Sequence, residues 1–297
     1  MPRRLFYCDH YVIPLPAGHR FPAAKYKLVR EMLAKDGFYH FEPAPPASRG
    51  IIELVHDPEY VRQFLTGTLP QPEMRRIGFP WSLDLVQRTL ASVGGTLGAA
   101  QDALATGWGG NLAGGTHHAS RNAGSGFCVF NDMAIAISWL RSQERIRRAA
   151  VIDLDVHQGD GTAQIFAGDA DVLTVSIHCR NNFPFRKQHG KLDVDLADNT
   201  GDEQYLAALS QVLPQVFAFR PEIILYQSGV DGLASDSLGR LALTHAGLRE
   251  RDRLVMSSTK AAGVPLAIVL GGGYSLPVEL TAEAHANTFR TASHIFA

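Results

Sequence analysis

Only three cysteines, Cys8, Cys128 and Cys179, occur in 297 residues. They are too few and too widely separated for a disulfide framework, so reduced thiols and an intracellular, cytoplasmic protein are expected. No apolar run approaches the roughly 20 residues that a membrane-spanning helix needs. After its two arginines the start M-P-R-R-L-F-Y-C-D-H has no long hydrophobic stretch, so no signal peptide is expected. Neither sign of charge is in excess: 28 basic residues against 29 acidic ones leave a net charge of -1. That balance argues against a polyanion partner and against an anionic membrane surface. The densest basic cluster, R-I-R-R at 145–148, reads as a solvated helix end rather than a nucleic-acid contact. No repeat, low-complexity tract or linker divides the chain, which is therefore read as one domain, 1–297.

What the chain does have is apolar content, 45% of residues against 19% charged, enough for a substantial core. Short aliphatic runs at 5–7, 51–55, 111–113, 149–154, 172–177, 222–227 and 265–270 predict strands. Helical spacing marks 26–34, 82–106, 133–140, 202–219 (interrupted at Pro214), 248–262 and 277–296. The helix at 82–106 carries Gly94, Gly95, Gly98, Ala99 and Ala100, a set that predicts close packing against a neighbour. The proline-rich segments at 11–22 and 67–80 read as loops, and 178–199 as a long polar loop. Alternating strands and helices predict an α/β fold: a three-layer α/β/α domain around a mostly parallel sheet.

The chemistry gathers around residues 149–162, A-A-V-I-D-L-D-V-H-Q-G-D-G-T. A buried parallel strand enters this stretch, and Asp153, Asp155 and His157 leave it two residues apart, on one side while extension persists. Three ionisable groups at the end of a buried strand are costly unless something binds them, and a metal ion is the simplest compensation. Asp231, in S-G-V-D after the strand at 222, supplies a further carboxylate. Asp155, His157 and Asp231 then make three protein ligands with an open position, the pattern of a catalytic site. The oxygen-rich set is harder than usual for zinc, which leaves ferrous iron or another divalent ion open. His117 and His118 follow Gly114 and Gly115, Tyr274 follows three glycines, and Asp153 and Asp160 are spare carboxylates able to orient imidazoles. All of these lie at or just beyond strand ends, so a parallel sheet can bring them to one edge.

In G-G-T-H-H-A, G-S-G-F-C-V-F-N-D, V-I-D-L-D-V-H-Q-G-D-G-T, S-G-V-D-G-L-A-S-D-S-L-G and G-G-G-Y the chain resembles the histone deacetylase family, of the arginase/deacetylase fold. The likeness runs from about residue 5 to 290 and is nearest to the class IV, histone deacetylase 11-like branch and its bacterial relatives. It implies a zinc-dependent lysine deacylase with zinc on Asp155, His157 and Asp231. It implies His118 as general base and then acid, His117 as its electrostatic partner, and Asp153 and Asp160 as their orienting carboxylates. Tyr274 would bond the amide carbonyl and the tetrahedral oxyanion. Phe127 and Phe183 would line a channel for the lysine methylenes, with the Gly126 carbonyl near the amide nitrogen. Arg20 resembles the arginine at the channel base, where acetate leaves. A structural potassium ion would be held by Asp153, Asp155, His157, Ser176 and Ile177.

Two departures from the family pattern bear on substrate, which is expected to be an acyl-lysine protein or peptide or a small acyl amide. No counterpart of the rim aspartate that grips the peptide backbone is found, and 77–81 is apolar instead. Leu238 stands where polyamine-specific relatives carry a glutamate, which weakens an acetylpolyamine reading. A two-manganese ureohydrolase is rejected because Gly159 and Gly229 occupy the places of its extra carboxylates. A decayed, non-enzymatic acyl-lysine binding module is disfavoured because every ligand, both histidines and the tyrosine are present.

Overall fold

The aliphatic runs assemble into one sheet in a computed structural model that describes residues 3–297. The first part of the chain gives β1 (Arg3–Tyr7), α1 (Ala24–Ala34), β2 (Tyr39–Pro43), α2 (Arg49–Ile52), α3 (Pro58–Thr66) and α4 (Gln71–Ile77). The middle gives α5 (Leu83–Thr106), β3 (Trp108–Asn111), α6 (Asp132–Ser142), β4 (Ala149–Asp153), α7 (Asp160–Ile165), β5 (Val172–Cys179) and β6 (Leu192–Leu196). The last part gives α8 (Asp202–Ala218), β7 (Ile223–Gln227), α9 (His245–Ala261), β8 (Leu266–Val269) and α10 (Val278–Ile295). The strands pair in parallel throughout, in the order β2-β1-β3-β8-β7-β4-β5-β6.

The inner strands A-A-V-I-D, I-I-L-Y-Q and L-A-I-V are buried at every position, as strands covered on both faces must be. The edge strand β6 instead alternates apolar and aspartate residues, half-buried and exposed, a pattern that blunts an open edge. Two groups of helices flank the sheet. In one, α1, α10, α9 and α8 pack in succession; in the other, α5 lies against α6, which also meets α2 and α7. This is the α/β architecture that the strand and helix pattern predicts.

Several local expectations need correction. Residues 51–55 form the end of α2 and a turn, not a strand: the buried positions Ile52 and Val55 are three apart, a helical rather than an alternating spacing. The edge strand β2, Y-H-F-E-P, has no apolar run to announce it. Within 67–80, Pro72 stands in the first turn of α4, where its missing N–H costs nothing. The polar stretch 178–199 contains the end of β5 and all of β6. Helix α8 continues through Pro214 because Leu209, Val212, Leu213 and Val216 bury one face of it, and packing outweighs one lost backbone bond.

The small residues of α5 do pack closely. A Cβ at Gly94 would stand 1.7 Å from the Pro45 carbonyl oxygen, and one at Gly98 would stand 2.5 Å from the Phe6 ring. Gly94→Ala gains helix propensity worth about 1 kcal/mol, yet it forces backbone apart in a packed interior. The expected result is a net loss of about 1–3 kcal/mol, read as a lower urea midpoint at an unchanged slope. A raised midpoint would show that the α5 contact yields more easily than its geometry implies.

Candidate metal centre and channel

Strands β3, β8, β7 and β4 are neighbours in the sheet, and their C-terminal loops carry His117 and His118, Gly271–Tyr274, Asp231, and Asp155 with His157. The topology therefore brings four separate sequence segments to one edge, where open parallel sheets bind ligands. Glycine lets two of the loops touch: a Cβ at Gly115 would lie 2.7 Å from the Gly271 Cα.

Asp155, His157 and Asp231 converge as expected, each offering a ligand atom within 4.8 Å of the others. His157 Nδ1 lies 3.0 Å from Asp155 Oδ1 and 3.1 Å from Asp231 Oδ2. Backbone donors fix the carboxylates. The Gly272 N–H reaches Asp155 Oδ2 at 2.8 Å, the His157 N–H reaches Asp155 Oδ1 at 3.0 Å, and the Val156 N–H reaches Asp231 Oδ1 at 2.9 Å. Burial, reinforced by the Asp155 charge, pushes the Asp231 carboxyl up to about 7. Burial opposes a charged His157, but bonds to the two carboxylates outweigh it and raise the imidazole to about 10. Two adjoining buried carboxylates thus call for positive charge, and a divalent cation matches this donor set.

The paired histidines sit beside the ligands, each held by the carboxylate expected for it. His117 Nδ1 lies 2.7 Å from Asp153 Oδ2, and His118 Nδ1 lies 2.6 Å from Asp160 Oδ1. Their charge states diverge. Burial works against a charged His117, but Asp153 and Asp155 prevail and raise it to about 9. For His118 burial and the neighbouring His117 charge act together and lower it to about 4. The surroundings thus bias the two imidazoles in opposite directions, His117 toward the charged form and His118 toward the neutral one. Burial, followed by the Asp231 and Asp155 charges, raises the Tyr274 phenol well above its ordinary range, so it stays a hydroxyl donor.

A cavity of about 750 Å³ leads to these groups. Its walls include Phe127 and Phe183, with the Phe183 ring edge-on to His118 at 4.9 Å. Phe127 is clasped by Phe21 and Phe79 and lies 6.1 Å from Tyr274. Gly126, at φ 53°, must be glycine on two counts, because a Cβ there would also meet His118 Cδ2 at 2.6 Å. Leu238 borders the same space. Of the residues associated with potassium, Asp153 and Ser176 are register partners on β4 and β5, with Ile177 next to Ser176.

Arg20 borders the same cavity and is exposed. A buried cation of the same cavity, Lys25, donates from Nζ to the carbonyls of Gly271 (2.9 Å) and Gly273 (3.4 Å). Burial lowers its amine to about 8, against the pull of Asp231 and Asp155. Lys25 precedes the apolar position Tyr26 in α1, and a lysine on that flank of a helix looks like a solvated one. Three further residues carry no sequence signal of their role. Gln227 Nε2 donates to Asp155 Oδ2 (3.2 Å). Asn182 Nδ2 stands 3.4 Å from His157 Nε2 and donates to the Leu238 carbonyl. Asp236 accepts from the backbone N–H groups of Leu238, Gly239 and Tyr274, so one carboxylate places both the channel leucine and the phenol.

Gly272 offers a direct test of the ligand geometry. A Cβ there would lie 1.9 Å from Asp231 Oδ2 and 2.8 Å from Asp155 Oδ2. Gly272→Ala should reduce a bound divalent cation from one per chain to near none by elemental analysis. Gly201→Ala, with nothing within 4 Å of its Cβ, should keep it; full occupancy in both variants would contradict the ligand assignment.

Comparison with known proteins agrees with this geometry. A model of the histone deacetylase domain matches residues 19–291. The chain is 44% identical over 295 residues to an uncharacterised protein of Picosynechococcus, covering 98% of both chains. It is 31% identical over 288 residues to a histone deacetylase-like amidohydrolase of Pseudomonas aeruginosa, covering 88% of this chain and 74% of that one. With histone deacetylase 2 of Arabidopsis thaliana it shares 30% identity over 270 residues, or 86% of this chain and 70% of the relative. The matched span takes in all four loops that build the site, and the chain belongs to the histone deacetylase family.

Proposed function

We propose that this deacetylase-type amidohydrolase removes an acyl group, acetyl or longer, from the ε-amine of lysine, with zinc held by Asp155, His157 and Asp231. The observation that carries the reading is the convergence of those three ligands at a cavity also bordered by His117, His118 and Tyr274. When bound, the cation lowers the pKa of water from about 16 to about 7 and polarises the acyl carbonyl. His118 has its Nδ1 engaged by Asp160 and stays neutral, so its Nε2 can take the proton of the attacking water. The same nitrogen then returns that proton to the departing amine. His117, kept charged against Asp153, steadies the negative charge that builds during attack. The Tyr274 hydroxyl donates to the carbonyl oxygen as it becomes an oxyanion.

Phe127 and Phe183 form an apolar passage suited to the lysine methylenes. Inward, the cavity is bordered by buried Ile13, Tyr26, Leu85 and Val93, which gives an acyl group longer than acetyl an apolar lining. An acetylpolyamine substrate is less well served. Leu238 offers its second ammonium no partner, and Asp155 is the single carboxylate among the cavity-lining residues. A potassium ion beside Asp153, Ser176 and Ile177 belongs to the same proposal, as an ion that steadies the β4 and β5 ends.

The test is a panel of acetyl-, medium-chain and long-chain acyl-lysine substrates with zinc-reconstituted protein, read as released carboxylate. Turnover should vanish with a chelator and return with the metal. Tyr274→Phe should lower kcat by about 10²–10³ while cation stoichiometry stays at one. No turnover of any acyl-lysine by fully metal-loaded protein would refute the function, and an unimpaired Tyr274→Phe variant would remove the phenol from the mechanism.

A further inference from the structure

The mouth of the cavity has a charge pattern that the chemistry at its base does not require. Arg20, Arg75, Arg76 and Arg240 all border the cavity, and all are exposed. Among the described residues that line the cavity the one carboxylate is Asp155, which is buried. The whole chain is balanced, 28 basic residues to 29 acidic, so this excess is local.

Acidic groups near the rim are already engaged. Asp236 accepts three backbone N–H bonds, and Asp198 bonds Arg240 at 3.3 Å as well as Cys179 and Asn181. Glu73 stands 3.8 Å from Arg76, whose Nε also donates to the Gly124 carbonyl. Among the described residues Arg20 and Arg75 have no ion-pair or side-chain hydrogen-bond partner, so their guanidinium groups are free to meet a ligand. A guanidinium pairs most favourably with a planar anion, which it can grip with two parallel bonds. A cleft lined by one sign of charge also concentrates ligands of the opposite sign.

We propose that the arginine rim selects acyl-amine substrates carrying carboxylate groups beside the acylated amine, and disfavours lysine-rich carriers. This rests on the amide-hydrolase reading above and adds to it the character of the carrier. Two sources supply that chemistry: aspartate or glutamate flanking an acyl-lysine in a peptide, or the α-carboxylate of a free acylated amino acid.

The experiment compares acetyl-lysine peptides flanked by Asp, by Ala or by Lys with Nα-capped Nε-acetyl-lysine bearing its own carboxylate. At low ionic strength zinc-loaded enzyme should prefer the Asp-flanked over the Lys-flanked peptide by about tenfold in kcat/KM. In about 1 M salt, where screening acts within a few ångströms, the preference should approach parity. Arg75→Glu should cut it several-fold, Arg75→Lys, which keeps the charge but loses the paired bonds, should retain only part of it, and both should turn over the Ala-flanked peptide like the parent enzyme. The ranking of the capped amino acid against the Asp-flanked peptide tells which source is used. Equilibrium binding of the same set by fluorescence anisotropy reads the rim without any turnover. Absent hydrolysis with ordered binding would sink the amidohydrolase reading alone. Flat binding, or a preference for the Lys-flanked peptide at low salt, would overturn the proposal.

Discussion

Asp155 and Asp231 are two wholly buried carboxylates that address the same imidazole nitrogen. Burying one such charge without compensation costs several kcal/mol, and placing two side by side adds their repulsion. The raised Asp231 and the raised His157 are the electrostatic record of that conflict. The surroundings answer it with N–H donors from Val156, His157, Gly272 and Gln227. They answer it also by omission: Gly229 and Gly272 press so near to the carboxylates that any side chain would displace them. The sheet makes the arrangement attainable, because β8, β7 and β4 are adjacent and their exits need no long reach.

A second consequence concerns the peptide unit between Gly271 and Gly272. In a trans peptide the carbonyl and the N–H point in opposite directions. Here the Gly271 carbonyl meets the Lys25 ammonium, while the Gly272 N–H meets Asp155. The peptide dipole therefore lies between a cation and an anion with both ends satisfied. Lys25 also takes the Gly273 carbonyl and sits 5.2 Å from the Tyr274 ring centroid. One buried lysine thus fixes the loop that carries a ligand-binding N–H and the phenol.

The fold and the centre of the site were legible for the same reason: both rest on short, local patterns. A continuous aliphatic run such as 149–153 has few alternatives to a buried strand, and D-x-D-x-H at its end leaves few alternatives to a cation. Residues whose roles depend on distant partners gave no such sign. Lys25 reads as an ordinary helix lysine until α1 is laid against the loop after β8, and Asn182 is one amide in a polar loop until it meets His157. Short elements escape such a reading where composition masks periodicity, as with the prolines opening α4 and with the aliphatic run 51–55, which is helix and turn where a strand is expected.

Catalysis and recognition draw on different parts of this molecule. The ligands, paired histidines and phenol hang from four neighbouring strand ends, where the backbone is buried and cross-braced. The arginine rim belongs to exposed segments, namely the loop before α1, α4 and the turn around Leu238. These are tied to the walls by hydrogen bonds, such as those of the Gly126 and Phe127 N–H groups to the Arg76 and Ile77 carbonyls and of the Arg240 N–H to Asn182 Oδ1. Such ties hold Phe127 in its left-handed conformation, φ 66°, yet leave the outward side chains of α4 free to vary. A substitution at Arg75 changes the charge met by an arriving carrier without moving a group that touches the amide. Selection can therefore act on what enters the channel while the reaction at its base stays the same, the usual division between a rigid scaffold and its surface loops.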